Sequence, residues 1–341
     1  MPKINSSFTA TIRNPGKDNL LAYLTRRFTY HSQEEWQSLL TLGRLEWEGQ
    51  RADGGEPLRE GQSLRFAVVD YEEPEVPLDF KILEQSETLC LVHKPPGMPV
   101  HRTGKIFFQT LANLVREQLR DIAWAPLNRL DRETGGLVAF AKGSDALRCW
   151  APASPKSHWL KLYAAITHGI IEPRSGRIEL ALGESGLGPI RSKVDILPGG
   201  KKALTLYKVL STTSTESLVV LAPITGRKHQ LRAHLAAIGS PIIGDKIYSQ
   251  AGSAYLKQLD QELDEADYHC LGARHHLLHA FHLHLKKSEG DEIVGWDWDF
   301  NTEFGSYFNP QLIQDWCLGT GFKDLAEEAN SLGDSHGPKS L

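Results

Sequence analysis

The sequence has no apolar run long enough to cross a bilayer. Across its 341 residues the longest such stretch, Leu218 to Ile224, is only of strand length. No membrane segment is expected. Clustered cysteine is also missing. Cys90, Cys149, Cys270 and Cys317 lie far apart and form no C-x-x-C pair, which argues against a disulfide framework and against a zinc ribbon. Free, partly buried thiols are the simplest expectation. The opening residues Met1-Pro2-Lys3-Ile4-Asn5-Ser6-Ser7 lack the apolar core of a secretory signal, so a cytoplasmic location is expected. Positive charge is not in surplus. A formal net charge of −4 argues against a protein that coats nucleic acid indiscriminately. The two signs are segregated, however. Acid gathers at Glu72 to Glu87 and Asp260 to Asp267, and base at Lys156 to Lys161, Lys193 to Lys202 and Arg227 to Lys246, which leaves room for a local basic surface.

With 40% apolar residues the chain can build one large domain and a small one, or two to three of ordinary size. Leu20, Leu21, Leu24 and Phe28 recur at helical spacing, as do Trp36, Leu39 and Leu40 ahead of Gly43. Leu45 and Trp47 alternate with charged residues before the Gly49 turn, and Ser63 to Val69 reads as a second strand. This helix-helix-strand order, with Leu42-Gly43-Arg44-Leu45-Glu46-Trp47-Glu48-Gly49, resembles the S4-like RNA-binding domain, in which Asn is usual where Glu48 stands. A small α/β domain used only for packing or protein contact is the alternative. The acidic, proline-punctuated stretch that follows suggests a linker over 71–79 between an N-terminal domain, 1–70, and a larger domain, 80–322. In the larger domain short apolar strands alternate with few helices, which indicates an α+β fold rather than repeating βαβ units. Residues 323–341 are polar and are expected to form a flexible tail.

Within the larger domain, Leu127-Asn128-Arg129-Leu130-Asp131-Arg132-Glu133-Thr134-Gly135-Gly136-Leu137 runs into the apolar Val138-Ala139-Phe140-Ala141. One carboxylate, Asp131, stands between two arginines, and the glycine pair allows a sharp turn into a buried strand. An adjacent cation lowers an Asp pKa by roughly 1 to 3 units, against the rise that desolvation causes. Read alone, such a turn is more often a surface salt bridge.

Three further segments decide between these readings. Leu91-Val92-His93-Lys94-Pro95-Pro96-Gly97-Met98-Pro99-Val100-His101 is a strand ending in a proline-stiffened turn. Lys161-Leu162-Tyr163-Ala164-Ala165 runs to Gly169. Thr225-Gly226-Arg227-Lys228-His229-Gln230-Leu231-Arg232-Ala233-His234 continues through Pro241, Gly244-Asp245 and Tyr248. With Asn128 to Gly136 these four segments, in this order, resemble the RluA-type RNA pseudouridine synthases; Asn128 replaces the His usual in that family. The resemblance implies a mixed, mostly antiparallel catalytic sheet and a uridine whose C1′–N1 bond is broken and remade to C5. Asp131 would then be the catalytic carboxylate, either attacking ribose C1′ or promoting glycosidic cleavage and C2′ deprotonation. Arg232 would pair with it, and Tyr163 would lay its ring against the uracil. Arg129 would take the place of the flipped base. Lys228 and Lys246, with Lys201 and Lys202, are candidate phosphate contacts. Arg132, Thr134, Gly226, His229 and Gln230 are expected to support the pocket. The expected partner is RNA, ribosomal ahead of transfer RNA, with no cofactor, no metal, no membrane and no obligatory protein partner.

Two other signals weigh less. His269, His275, His276, His279, His282 and His284 interleave with apolar residues as in a strand packed on one face, with no Cys or carboxylate at zinc spacing. Gly333-Asp334-Ser335-His336-Gly337 matches G-x-S-x-G but lies in the polar tail rather than between a strand and a helix. The rival functions are a synthase-like RNA-binding or ribosome-assembly factor without turnover, and a nucleoside hydrolase that would release free uracil.

Overall fold

Apolar residues at helical spacing produce the first two helices, Leu20–Arg27 and Gln33–Thr41. Asn19 caps the first by accepting from the Ala22 N–H, and Ser32 with Glu35 forms a reciprocal capping box on the second. Leu20, Leu24, Trp36, Leu40 and Leu45 close a small core beneath a four-stranded antiparallel sheet. The sheet order is Ile4–Thr11, Ser63–Tyr71, Leu45–Trp47, Gln50–Arg51. The first of these strands has no apolar period to announce it; its pairing with Ser63–Tyr71 creates it. Glu48, where S4-like domains usually carry Asn, has φ +49°, a left-handed conformation that Asn tolerates better than Glu.

The computed structural model describes residues 4–28, 31–151, 157–184, 186, 188–287 and 292–336. The chain divides into two units, Met1–Val76 with His101–Thr110, and Pro77–Val100 with Leu111–Leu341. The expected linker over 71–79 is corrected by this division. Glu73 and Val76 are buried in the first unit, where the Glu73 carboxylate accepts the backbone N–H groups of Phe107, Phe108 and Gln109. Phe8 stacks on Phe107 with ring centroids 4.8 Å apart, so residues 101–110 belong to this unit rather than to the larger one.

The second unit is built on a ten-stranded sheet. Its main path runs Ser175–Glu179, Leu204–Thr212, Glu216–Pro223, Ser157–His168, Leu278–Lys287, Gly135–Lys142, Leu89–Lys94 and Lys81–Gln85. Among the described residues the strand pairs are antiparallel except one: Leu278–Lys287 meets Gly135–Lys142 in parallel, His279 opposite Gly135 and Ala280 opposite Gly136. That close passage requires glycine. Gly136 has φ +108°, and a Cβ there would overlap the Ala280 backbone. The fold is therefore α+β with a mixed, mostly antiparallel sheet. Of the thiols, Cys90 is buried, Cys149 and Cys317 half-buried and Cys270 exposed; all are free.

The flexible tail expected over 323–341 is also corrected. Thr320–His336 is a helix. Leu325 and Ala329 are buried in the main core, with Phe322, Ala326 and Leu332 against it, a spacing of three and four that marks one helical face. Charged residues between them hid the stripe. The G-x-S-x-G match falls at the end of this helix, and its Gly337 lies outside the described residues.

Candidate active site

A cavity of about 440 Å³ opens where the Asp131 turn, the strand Ser157–His168 and the loop 225–229 converge. Asp131, Arg129, Thr134, Tyr163, Gly226, Lys228, His229, Gln230 and Arg232, all foreseen from sequence, line it together with Asn128 and Lys161.

The loop is held by one amide. Gln230 Oε1 accepts from Thr225 Oγ1 at 2.8 Å and from the Arg227 N–H at 3.0 Å, while its Nε2 donates to the Leu204 carbonyl and Thr205 Oγ1, both at 3.0 Å. His229 then starts the helix Gln230–Ala237 from a left-handed conformation, φ +54°, which places Arg232 in the first turn. Arg232 Nη1 donates to Asp131 Oδ2 at 2.8 Å. Its Nε and Nη2 donate to the two oxygens of Asp245 at 2.7 and 2.9 Å. Asp245 is wholly buried, and its Oδ1 also accepts the N–H groups of Ile247 and Tyr248 at 2.9 and 3.0 Å. The Tyr248 ring packs under the guanidinium, 5.2 Å from its centroid.

This geometry sets the charges. Burial pushes the Asp131 carboxyl up, but Arg232 more than offsets that and holds it at about 2, ionised at neutral pH. Burial opposes the charge of Arg232 as well, and Asp245 and Asp131 outweigh it, so the guanidinium stays protonated. His229 Nε2 lies 3.9 Å from Asp131 Oδ2; burial, then the Arg232 charge, pushes its imidazole down to about 4, so it is neutral at pH 7. Tyr163 is nearly buried, 9% exposed, and its hydroxyl finds no partner among the described residues. Burial and the Asp131 charge raise its pKa, so the phenol keeps its proton. The cavity thus presents an ionised carboxylate, suited to attacking an electrophilic carbon or taking a proton, and a neutral aromatic hydroxyl, suited to donating a hydrogen bond.

The Asp131 turn is fastened from behind. Arg132 does not pair with Asp131; its Nε donates to the Gly97 carbonyl at 3.0 Å, and the Gly97 N–H donates to the Arg132 carbonyl at 2.9 Å. Lys94 is fully buried and donates to the carbonyls of Pro95, Met98 and Arg132 at 2.9, 2.8 and 3.0 Å. Burial presses its amine down to about 7, while three acceptors favour the ammonium that alone supplies three donors. Thr134 Oγ1 lies 2.7 Å from His276 Nε2, and its N–H closes the turn on the Asp131 carbonyl at 3.1 Å. Asn128 grips the next strand with both amide atoms, Oδ1 accepting from the Ala139 N–H at 2.8 Å and Nδ2 donating to the Leu137 carbonyl at 3.3 Å. That double grip accounts for an amide where an imidazole is usual. Arg129 is exposed at the cavity rim, with no hydrogen-bond partner among the described residues.

One expectation is corrected. Lys246 is buried and donates to Glu133 at 2.8 Å and to the Arg274 carbonyl, so it braces the turn and is closed to a phosphate. Gly226 needs no special conformation, since a Cβ there meets only Lys161 Nζ at 3.9 Å. Lys228 is exposed and paired with Glu184 at 3.1 Å; Lys201 and Lys202 are exposed. Sequence reasoning gave no role to Asp245 or Lys94, although a carboxylate inside Ile242-Ile243-Gly244-Asp245-Lys246-Ile247 and a lysine closing an apolar strand were visible signs of paired burial. The histidines divide between a helix (His269), a loop (His275, His276) and a strand (His279, His282, His284). His279 does meet a carboxylate: Asp297 Oδ2 lies 3.3 Å from its Nε2 and is hydrogen-bonded to His93 Nδ1 at 2.6 Å, a buried group that could hold a metal ion.

Comparison with known proteins identifies the family. The family described as RNA pseudouridylate synthase matches residues 88–237. The dual-specificity RNA pseudouridine synthase RluA of Haemophilus influenzae is 34% identical over 190 residues, 54% of this chain and 83% of the relative. The ribosomal large subunit pseudouridine synthase D of Neisseria meningitidis is 29% identical over 246 residues, 70% of this chain and 63% of the relative. Other curated relatives are matched over about half of their length. The solved structure of human RNA pseudouridylate synthase domain containing 1 shares the fold at 23% identity, with a TM-score of 0.53 over 72% of this chain and 97% of that one. The chain belongs to the RluA-type RNA pseudouridine synthases, isomerases that convert uridine in RNA to pseudouridine.

Proposed function

We propose that this chain isomerises specific uridines in structured RNA, ribosomal RNA ahead of transfer RNA, with Asp131 as the catalytic carboxylate. The observation that carries the reading is the Asp131–Arg232 pair at 2.8 Å on the wall of a cavity that Tyr163 also lines. An ionised, oriented carboxylate is what either route requires, attack at C1′ or removal of the C2′ proton. Tyr163 contributes a flat ring for the uracil and a protonated hydroxyl for the reacting sugar or base. The base must leave the RNA stack at a cost of a few kcal/mol, and the unpartnered guanidinium of Arg129 at the rim suits the vacated place. The C1′–N1 bond breaks and a C1′–C5 bond forms with no net redox change, so the reaction calls for no cofactor. The preference for ribosomal RNA rests on the S4-like segment Leu42 to Gly49 and on the name of the Neisseria relative.

The test incubates the protein with total RNA from a strain lacking this gene and maps pseudouridine, comparing wild type with Asp131→Ala. Wild type is expected to modify discrete sites, and Asp131→Ala to form none while still binding RNA. RNA binding without any pseudouridine from wild type would overturn the isomerase reading in favour of an assembly factor. An active Asp131→Ala would overturn the role of Asp131 alone, and free uracil among the products would reveal a hydrolase.

A further inference from the structure

Lys161 stands two residues before Tyr163 on the strand Ser157–His168, so both side chains leave the same face and both line the cavity. Its ammonium has no ion pair and no hydrogen bond among the described residues; its one ring contact is a distant one, 6.0 Å from the Trp159 centroid, and it lies against the loop at Gly226, 3.9 Å from where a Cβ would stand. The side chain is half-buried, and burial pushes its pKa down. Every other cation facing the cavity is paired, tethered or open to water: Arg232 serves two carboxylates, Lys228 is bound to Glu184, Arg227 donates to the Lys202 carbonyl, and Arg129 is exposed. The one carboxylate in the lining, Asp131, already has Arg232. A half-buried cation without a counter-ion is costly and persists where a ligand supplies the charge.

We infer that Lys161 is the anchor of a phosphate subsite, its ammonium donating to a phosphodiester oxygen of the extruded nucleotide while Tyr163 and Asp131 face base and sugar. This rests on the isomerase reading for the identity of the nucleotide. A phosphate fits better than a uracil carbonyl because the cavity wall has a positive charge to neutralise, and a compact ammonium meets an oxyanion without the planar geometry a guanidinium needs. Lys161 so placed is a binding residue, separate from the residues assigned to the chemistry.

The experiment is calorimetric titration of the full chain with two probes, uridine 3′,5′-bisphosphate and uridine, for wild type, Lys161→Gln and Lys161→Arg, with thermal melting to confirm that each variant folds. Wild type is expected to bind the bisphosphate at least tenfold more tightly than uridine. Lys161→Gln should bring that ratio to within about twofold, and Lys161→Arg should keep most of it. On an RNA substrate, Lys161→Gln should lower kcat/KM mainly through KM and flatten the dependence of binding on salt by close to one ion. Equal or undetectable binding of the two probes by wild type, or a Lys161→Gln variant that retains the full ratio, overturns the subsite. Equal loss of affinity for both probes in Lys161→Gln would place the ammonium at the base and overturn it too. Because the titration needs no turnover, a protein that binds the bisphosphate through Lys161 but makes no pseudouridine would overturn the isomerase reading alone.

Discussion

Arg232 serves two carboxylates at once, Asp131 toward the cavity and Asp245 behind it, and that doubling explains its rigidity. A guanidinium fixed on one side by Asp245 offers its remaining Nη1 to Asp131 in a single direction, so the reactive carboxylate is oriented before any substrate arrives. Removing the guanidinium would leave Asp245 buried with no opposing charge. Arg232→Met is therefore expected to cost about 3 to 5 kcal/mol of folding stability in urea denaturation as well as abolishing turnover. A variant within 1 kcal/mol of wild type would show that Asp245 does not depend on this pair. Arg232→Lys should fall between, since one ammonium cannot reproduce the bidentate grip on Asp245. At this scale the sequence was legible wherever a residue sat in a recognisable segment. For Asp245 and Lys94 it signalled burial but not the partners, which are backbone groups and side chains brought in by folding.

Among the elements, the glycine pair entering Gly135–Lys142 and the helix Gln230–Ala237 carry the two halves of the site. The glycine turn was anticipated, because a turn signal before an apolar run is a local feature. The C-terminal helix was not. Composition over 323–341 reads as polar, yet Leu325 and Ala329 are buried and Phe322, Ala326 and Leu332 pack beside them. Burying a leucine-sized side chain contributes about 1.5 to 3 kcal/mol, so ending the chain at Gly319 is expected to remove at least about 3 kcal/mol and lower the melting temperature by several degrees. Calorimetry of the two proteins measures this, and an unchanged melting temperature would mean that the helix contributes nothing to the core. The strand Ile4–Thr11 escaped notice for the opposite reason. Its backbone pairing, rather than an apolar pattern, defines it.

For the molecule as a whole, buried imidazoles set the response to acid. His229, His276 and His282 are each pushed by burial from 6.5 to about 4. The folded state then binds fewer protons than the unfolded chain between those values, so stability is full above pH 6.5 and is lost as pH falls toward 4. The carboxyls of Asp131, Glu133 and Asp297 are held below their ordinary values despite burial, so their contribution disappears later, as pH drops through their folded values. The melting temperature is expected to decline from pH 6.5 to 4.5. His282→Phe, which keeps a ring on Trp296 while removing one titrating group, should have a shallower decline. A wild-type melting temperature that does not change across this range would refute the linkage. Asp131 remains ionised throughout, so activity lost in this window should track unfolding rather than protonation of the carboxylate.

The sequence by itself determined the family, the α+β class, the segments that line the cavity and the expectation that Asp131 and Arg232 meet. The class and the glycine turn are written in short runs where residue type and order carry the physics, glycines for turns and alternating apolar residues for strands, while the family and the expected meeting of Asp131 with Arg232 came from the resemblance of four segments in order. Tertiary structure alone decided which charges are paired. Asp131 and Arg232 lie 101 residues apart, and Lys246 reaches Glu133 across 113. Which lysine is neutralised by a buried acid and which, like Lys161, faces the cavity without one depends on distances that no spacing in the chain encodes.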